Sequence, residues 1–338
     1  MQPFEYNALA TIWHKVLFKL SYYYEKNNAD AHPAFVPPPG TADETSQLIY
    51  DLLSGDNPCM VARFGSTELY CLSNYLSIKK NIIDVPGFIK FKVEPWWWDK
   101  RRVYNMRDYS GFFPIDEPSI TRFCEMMLKD IRELDILASW LTKEEFLKDY
   151  LQGVKRVFLP QLEPYYSKAP WTRALGHKKV VVVHPFAELI EEQYSNNRER
   201  LFSDPNVLPE FKLRTVKAVQ SLGGENSAGF SSWFDALKWM EDEIDKEDYE
   251  ICLIGCGAYG FPLAAHCKRM GKKAIHLGGA LQLLFGIKGN RWEDPMYGVR
   301  EWGLPEGFYT NMFNEHWTKA GVSYKPKNAK QVEGACYW

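Results

Sequence analysis

The chain has 338 residues, 46% of them apolar and 25% charged, which supplies a sizeable core and excludes an extensively disordered or fibrous protein. Its 41 Lys and Arg against 43 Asp and Glu leave a formal charge of -2. No global positive field is therefore available to hold nucleic acid through its phosphates.

Residues 8–25, ALATIWHKVLFKLSYYYE, place Leu9, Ile12, Trp13, Val16, Leu17 and Leu20 on one helical face, with His14, Lys15 and Lys19 elsewhere. Such a helix either rests peripherally on a membrane or packs on its own domain. Residues 27–40, NNADAHPAFVPPPG, form an extended connector. The division is therefore an N-terminal helical arm with its connector over 1–40 and a single α/β domain over 41–338. In that body the pattern predicts a helix over 43–54, a strand over 60–63 and helical stretches from Glu68 through the 120s and 140s. Strands follow at 156–159, 179–184 and 213–216, then a helix over 232–244 and a strand over 250–254. A helix over 262–271 and a short strand over 273–277 complete the pattern. Runs such as VVVV and YEICLIG are continuously apolar, as parallel strands covered on both faces are. The expected fold is a doubly wound, mostly parallel, Rossmann-like α/β sheet.

No stretch has the roughly 18 to 20 uncharged apolar residues that span a bilayer, and the N-terminus lacks a signal-peptide pattern. The seven cysteines are odd in number and scattered, which reads as reduced core thiols rather than zinc ligands. A cytoplasmic location follows as the expectation, with the amphipathic helix leaving a peripheral seat at the inner face of the membrane open.

The strongest local signal is YEICLIGCGAYGFPLAAHCKRM, in which an apolar strand runs into Gly255, Gly257, Tyr259 and Gly260 and then into a helix. Glycines there let the backbone approach a phosphate that helix N–H groups hold, so a nucleotide-type ligand is expected. A dinucleotide site or an S-adenosylmethionine site usually has a carboxylate at the end of the next strand. That strand ends in His276, Leu277, Gly278 and Gly279, without one. The two glycines and Gln282 offer backbone amides to the same pocket.

A second signal is CMVARFGSTELYCL, where Arg63, Gly65 and Glu68 follow an apolar strand at what becomes the carboxyl edge of the sheet. Arg63 suits a phosphate, and Glu68 a metal ion or a hydroxyl. A buried Arg63–Glu68 ion pair closing the turn is the structural alternative. His184, at the end of the VVVV strand, suits a phosphate contact, a general base or a satisfied structural histidine. Lys288 and Arg291 either neutralise a diphosphate or sit in a solvated loop. Candidate acceptor bases are Glu163, Glu188, Asp235 and Glu333, with Glu163 favoured by its place after a strand. The segment 94–109, EPWWWDKRRVYNMRDY, cannot turn three consecutive tryptophans inward, and it is expected to form the acceptor side of the cleft.

RFGSTE at 63–68 resembles the RFGDGE motif of bacterial glycosyltransferases of the GT-D fold, formerly grouped by a domain of unknown function. HPFAELIEEQY at 184–194, the long block at 254–289 and EGACYW at 333–338 are similar to proteins encoded among bacterial polysaccharide genes. The resemblance covers roughly residues 45 to 338. It implies transfer of a sugar from a nucleotide diphosphate sugar, usually a UDP-sugar, to a glycan or lipid-linked acceptor in surface polysaccharide biosynthesis. A divalent ion, Mn2+ or Mg2+, assists the leaving diphosphate in that family. Ser66 and Thr67 replace the family's Asp-Gly, leaving Glu68 as the surviving acid and putting metal dependence in question. The rival classes are a Rossmann-type NAD- or S-adenosylmethionine-dependent enzyme and a non-catalytic nucleotide- or glycan-binding protein.

Overall fold

The computed structural model describes residues 4–32, 34–221, 229–325 and 335–338. Thr41 opens the body as the N-cap of α2 (Ala42–Ser54), exchanging reciprocal hydrogen bonds with Glu44 in a capping box. Beyond it run β1 (Cys59–Ala62), α3 (Ser66–Lys80), α4 (Val85–Ile89), α5 (Lys100–Ser110) and α6 (Glu117–Asp130). Then come β2 (Ile136–Ser139), β3 (Lys155–Phe158), β4 (Lys179–His184), α7 (Ala187–Leu201) and β5 (Lys212–Lys217). The last large elements are α8 (Trp233–Asp245), β6 (Ile251–Ile254), α9 (Gly260–Arg269) and β7 (Lys273–His276).

The seven strands form one sheet in the order β3-β2-β1-β7-β6-β4-β5. Every neighbouring pair is parallel, with Val61 level with both Ile136 and Ile275, and Val182 level with Leu253. Strands β1, β2 and β6 are buried along their whole length, while edge strand β5 alternates between exposed and covered positions. Met60, Ala62, Val181 and Ile254 face one layer, built from α3, α6, α8 and α9. Val61, Val180, Val182 and Leu253 face the other, built from α2 and α7. The fold is the doubly wound parallel α/β sheet that the apolar runs predict. Strand β2 departs from the expected helical reading of that stretch. Its four residues, ILAS, are too few to show a period, and their pairing with Val61 and Ala62 makes them a strand.

The chain leaves the middle of the sheet at β1, runs outward through β2 and β3, crosses to β4 and β5, and returns through β6 to β7. Loops after β4 and β6 therefore depart in opposite directions, which opens a crevice at the carboxyl edge.

Helix α1 (Ala8–Asn27) packs on α4 and on the tryptophan loop, where Leu17, Phe88 and Trp97 make a small core of their own. The Trp97 ring lies flat on His14 at 4.0 Å, and the Arg101 guanidinium covers Phe18 at 4.3 Å. Docking thus uses His14, Leu17, Phe18 and Ser21. Of the expected apolar face only Leu17 is buried, whereas Leu9 remains 81% exposed and Ile12, Trp13, Val16 and Leu20 are exposed as well. The flat partner offered by Trp97 selects the His14 face, because stacked rings gain more contact than an aliphatic stripe laid on the same loop.

Candidate active site

A cleft of about 410 Å³ opens at the carboxyl edge of the sheet. Its wall draws on the turns after β1, β4, β6 and β7, so the RFGSTE turn and the glycine loop face one another across it. Three long helices begin at this cleft. Gly65, Phe186 and Tyr259 are the N-caps of α3, α7 and α9, all three line the cleft, and none provides a side-chain cap. The first amides of α3 and α7 consequently lack intrahelical partners, whereas in α9 the Gly260 N–H already bonds the Gly257 carbonyl and Pro262 has no N–H, so the free amides there belong to the 257–259 turn ahead of the helix. Such a space suits an anion.

Arg63 is half-buried with its guanidinium 5.0 Å from the Trp140 ring centre, and a Cβ on Gly278 would meet its terminal nitrogen at 3.4 Å. Among the described residues no carboxylate lies within ion-pair distance of it, so the Arg63–Glu68 pair does not close the turn. Glu68, 7% exposed in the first turn of α3, folds its carboxylate back over Gly65. A Cβ at residue 65 would lie 1.9 Å from Glu68 Oε2, so that seat exists because residue 65 is glycine.

His184 is 3% exposed, and burial pushes its pKa down to about 3, which keeps the ring neutral. Its Nδ1 accepts the Phe186 N–H at 3.0 Å, which assigns the ring proton to Nε2. The ring is therefore a hydrogen-bond donor toward any ligand, and its basic nitrogen is occupied.

Gly255, Gly257, Gly278 and Gly279 line the cleft. Gly257 has φ +59° and nothing within 4 Å of where its Cβ would stand, which leaves its backbone open to a ligand. Gly279 is a close approach instead, since a Cβ would strike the Tyr337 ring at 2.1 Å. Gly260 does not line the cleft, contrary to the sequence reading. A Cβ there would meet His276 at 2.1 Å, so this glycine lets helix α9 settle on β7. Tyr259 borders the cleft, but its ring lies flat on Trp233 at 4.7 Å and belongs largely to the core.

Glu163, expected as acceptor base, is outside the cleft. It is 8% exposed, accepts the Tyr309 hydroxyl at 3.0 Å, and burial pushes its pKa up to about 8. The strand before it is the edge strand β3, which turns residue 163 behind the sheet's rim. Glu188 pairs with Lys217 at 2.6 Å, and Asp235, exposed in the first turn of α8, donates its N–H to the Ser232 cap and accepts the Ser231 hydroxyl, so neither reaches the cleft. Glu333 lies outside the described residues. Arg291 lines the cleft 4.7 Å from the Tyr337 ring, whereas Lys288 turns to Glu293. Gln282 donates to the carbonyls of Ile287 and Tyr337, holding the C-terminal residues against the turn after β7.

The tryptophan loop does not reach the cleft: Trp97 and Trp98 are buried and Trp96 half-buried beneath the arm helix and its neighbours. The helical half of that segment does, for Arg102, Asn105 and Tyr109 of α5 form the wall opposite Arg63 with Tyr70 of α3. Arg102 is held there by ion pairs with Glu94, itself 2% exposed, and with Asp99 at 3.7 Å. The expected segment therefore contributes its helical half rather than its tryptophans, while Tyr70 and Trp140 were not anticipated. A helix carrying Arg102, Asn105 and Tyr109 one turn apart on one face was the available signal.

The side chains present do not compose a protein-held metal centre. Among the described residues no three His, Cys, Asp or Glu side chains converge, and Glu68 is the one carboxylate on the cleft wall. Among the described residues no helix is long and apolar enough to cross a membrane.

No protein-family model matches this chain, and no curated protein matches it. A solved structure described as the selenomethionine-substituted domain of unknown function 1792 (DUF1792) is similar at 12% identity, with a TM-score of 0.32. The match covers 82% of this chain and 100% of that one. The seven-stranded parallel sheet itself defines the fold.

Proposed function

We propose that the chain is a glycosyltransferase that moves a sugar from a nucleotide diphosphate sugar, a UDP-sugar, to a glycan or lipid-linked acceptor of surface polysaccharide biosynthesis. The observation that carries this reading is the convergence of two uncapped helix N-termini, those of α3 and α7, and the glycine turn ahead of α9 on one cleft beside Arg63, a cation with no acid partner among the described residues. Together they make a seat for a diphosphate. The likeness of RFGSTE to a glycosyltransferase motif adds the sugar.

In the transfer, the bond from the anomeric carbon to the diphosphate oxygen breaks and a bond to the acceptor oxygen forms. Negative charge grows on the departing nucleotide diphosphate. Arg63, the Nε2–H of His184 and the amides of the glycine loop are placed to offset it, as fixed donors in a water-poor cleft do. Glu68 takes the acceptor proton, being the carboxylate described on the cleft wall. In this reading Arg63, His184 and the glycine-loop amides carry the charge that an ion offsets in the resembled family.

A melting-temperature screen against UDP, GDP, NAD and S-adenosylmethionine tests this reading, because a ligand bound only by the native state raises the transition by mass action. UDP is expected to raise it, equally with a chelator or with manganese, and a panel of UDP-sugars is expected to include one that is slowly hydrolysed. A rise with NAD or S-adenosylmethionine and none with UDP overturns the proposal.

A further inference from the structure

A second pocket, of about 480 Å³, adjoins the cleft and shares Trp140 and Arg291 with it. The aromatic rings of Phe35, Trp140, Phe158, Tyr297 and Trp302 line it, drawn from the connector, the ends of β2 and β3, and the C-terminal region. None of the five is fully buried, although each carries a large ring that the core could have absorbed. Phe35 lies parallel to Phe158 at 6.1 Å, and Trp302 stands edge-on to Tyr297 at 5.3 Å, so the rings brace one another around an open space. Glu301, exposed, and Arg291 bring charged groups to this aromatic wall. Trp140 and Arg291 border both this pocket and the cleft.

We infer that this second pocket is a carbohydrate subsite that holds the acceptor glycan beside the donor cleft. The C–H-rich face of a pyranose carries slight positive charge and packs on the negative face of an aromatic ring, while its hydroxyls need carboxylate and guanidinium partners at the edge. A purely apolar ligand has no use for Glu301 and Arg291. A protein partner would meet a concave pocket of ligand-site size, not a flat patch. The indole of Trp140 is a shared wall: the Arg63 guanidinium lies over its ring, and the same residue lines the second pocket. A sugar there would share the Trp140 and Arg291 side chains with the cleft assigned to the donor. The assignment of this sugar as acceptor rests on the transferase reading, but the binding of sugar does not.

Saturation-transfer NMR on the full chain tests it, with a panel of free hexoses and N-acetylhexosamines at millimolar concentration, with and without saturating UDP. Transfer to ring C–H protons of at least one sugar is expected, and it should persist when UDP is present. Phe35→Ala and Trp302→Ala should each weaken it tenfold or more, while Trp13→Ala on the arm leaves it unchanged. If Trp302→Ala fails to fold, Glu301→Gln and Phe35→Ala serve alone, and UDP affinity by calorimetry should be equal in every variant. No transfer from any sugar overturns the inference, as does transfer that UDP abolishes or that survives both aromatic replacements. Sugar transfer without UDP binding leaves the subsite standing and removes the transferase reading instead.

Discussion

Gly65 and Glu68 form a unit in which an absent side chain makes room for a carboxylate. In Gly65→Ala the new methyl group would occupy the Glu68 Oε2 position. The carboxylate swings away cheaply, since it is the end of a flexible side chain. Turnover should fall about a hundredfold or more, with melting little changed, and Glu68→Gln should do the same by removing the charge alone. Steady-state kinetics beside a thermal melt check both, and full activity in Glu68→Gln would take this residue out of the site. Glu163 gives a different signature. Its folded pKa of about 8 lies above the ordinary carboxyl value of 4.5, so the folded chain keeps a proton that the unfolded chain releases. The stability it contributes is complete below pH 4.5 and is lost as the pH rises toward 8. Glu163→Gln keeps an acceptor for Tyr309 and removes this slope, a difference on the order of a few kcal/mol between pH 5 and pH 9. Denaturant midpoints across that range measure it.

At the scale of elements, the glycine loop ahead of α9 is open at Gly257, where φ is +59°. A β-branched residue there would strain the backbone, so Gly257→Val confounds folding with binding. Asparagine tolerates this conformation. Gly257→Asn should therefore melt within about 1 kcal/mol of the parent and weaken UDP at least tenfold by standing where the diphosphate approaches. Unchanged UDP affinity in titration calorimetry would separate the loop from the ligand. The arm helix presents Leu9, Ile12, Trp13, Val16 and Leu20 outward, with Lys15 and Lys19 also exposed and Tyr22 and Tyr23 at its end. We propose that this stripe rests on an anionic lipid surface, the basic residues supplying the attraction and the aromatics the interfacial anchor. Flotation with phosphatidylglycerol vesicles should recover the chain, and Leu9→Glu with Val16→Glu should abolish recovery without moving the melt. Recovery that survives the two charges would refute it. Trp97→Ala should loosen the arm at a cost of about 3 kcal/mol, the usual penalty for emptying an aromatic site.

For the whole molecule, the cleft joins turns that are up to 275 positions apart in sequence, from Arg63 to Trp338, counted as 338 minus 63. Ligand binding should therefore stabilise the sheet as one cooperative unit, with UDP at a hundred times its dissociation constant adding about 2.7 kcal/mol. A single transition moving as a whole in calorimetry is the expected result. The architecture was legible in the chain because VVVV and ICLI are buried on both faces, and a continuous apolar run carries that information locally. So was the meeting of RFGSTE with the glycine loop, since turns after parallel strands share one edge. Which glycine lines the cleft was not legible. Gly257 and Gly260 sit three residues apart in one motif, and the packing of His276 alone separates them. Nor could the sequence place Glu163, because an edge strand and a central strand read alike until their neighbours are known. Periodicity found the arm helix but not its docked face, which was decided by the Trp97 ring some eighty residues away. Local pattern determines elements and their order, whereas the identity of a side chain's neighbours is a property of the assembled sheet.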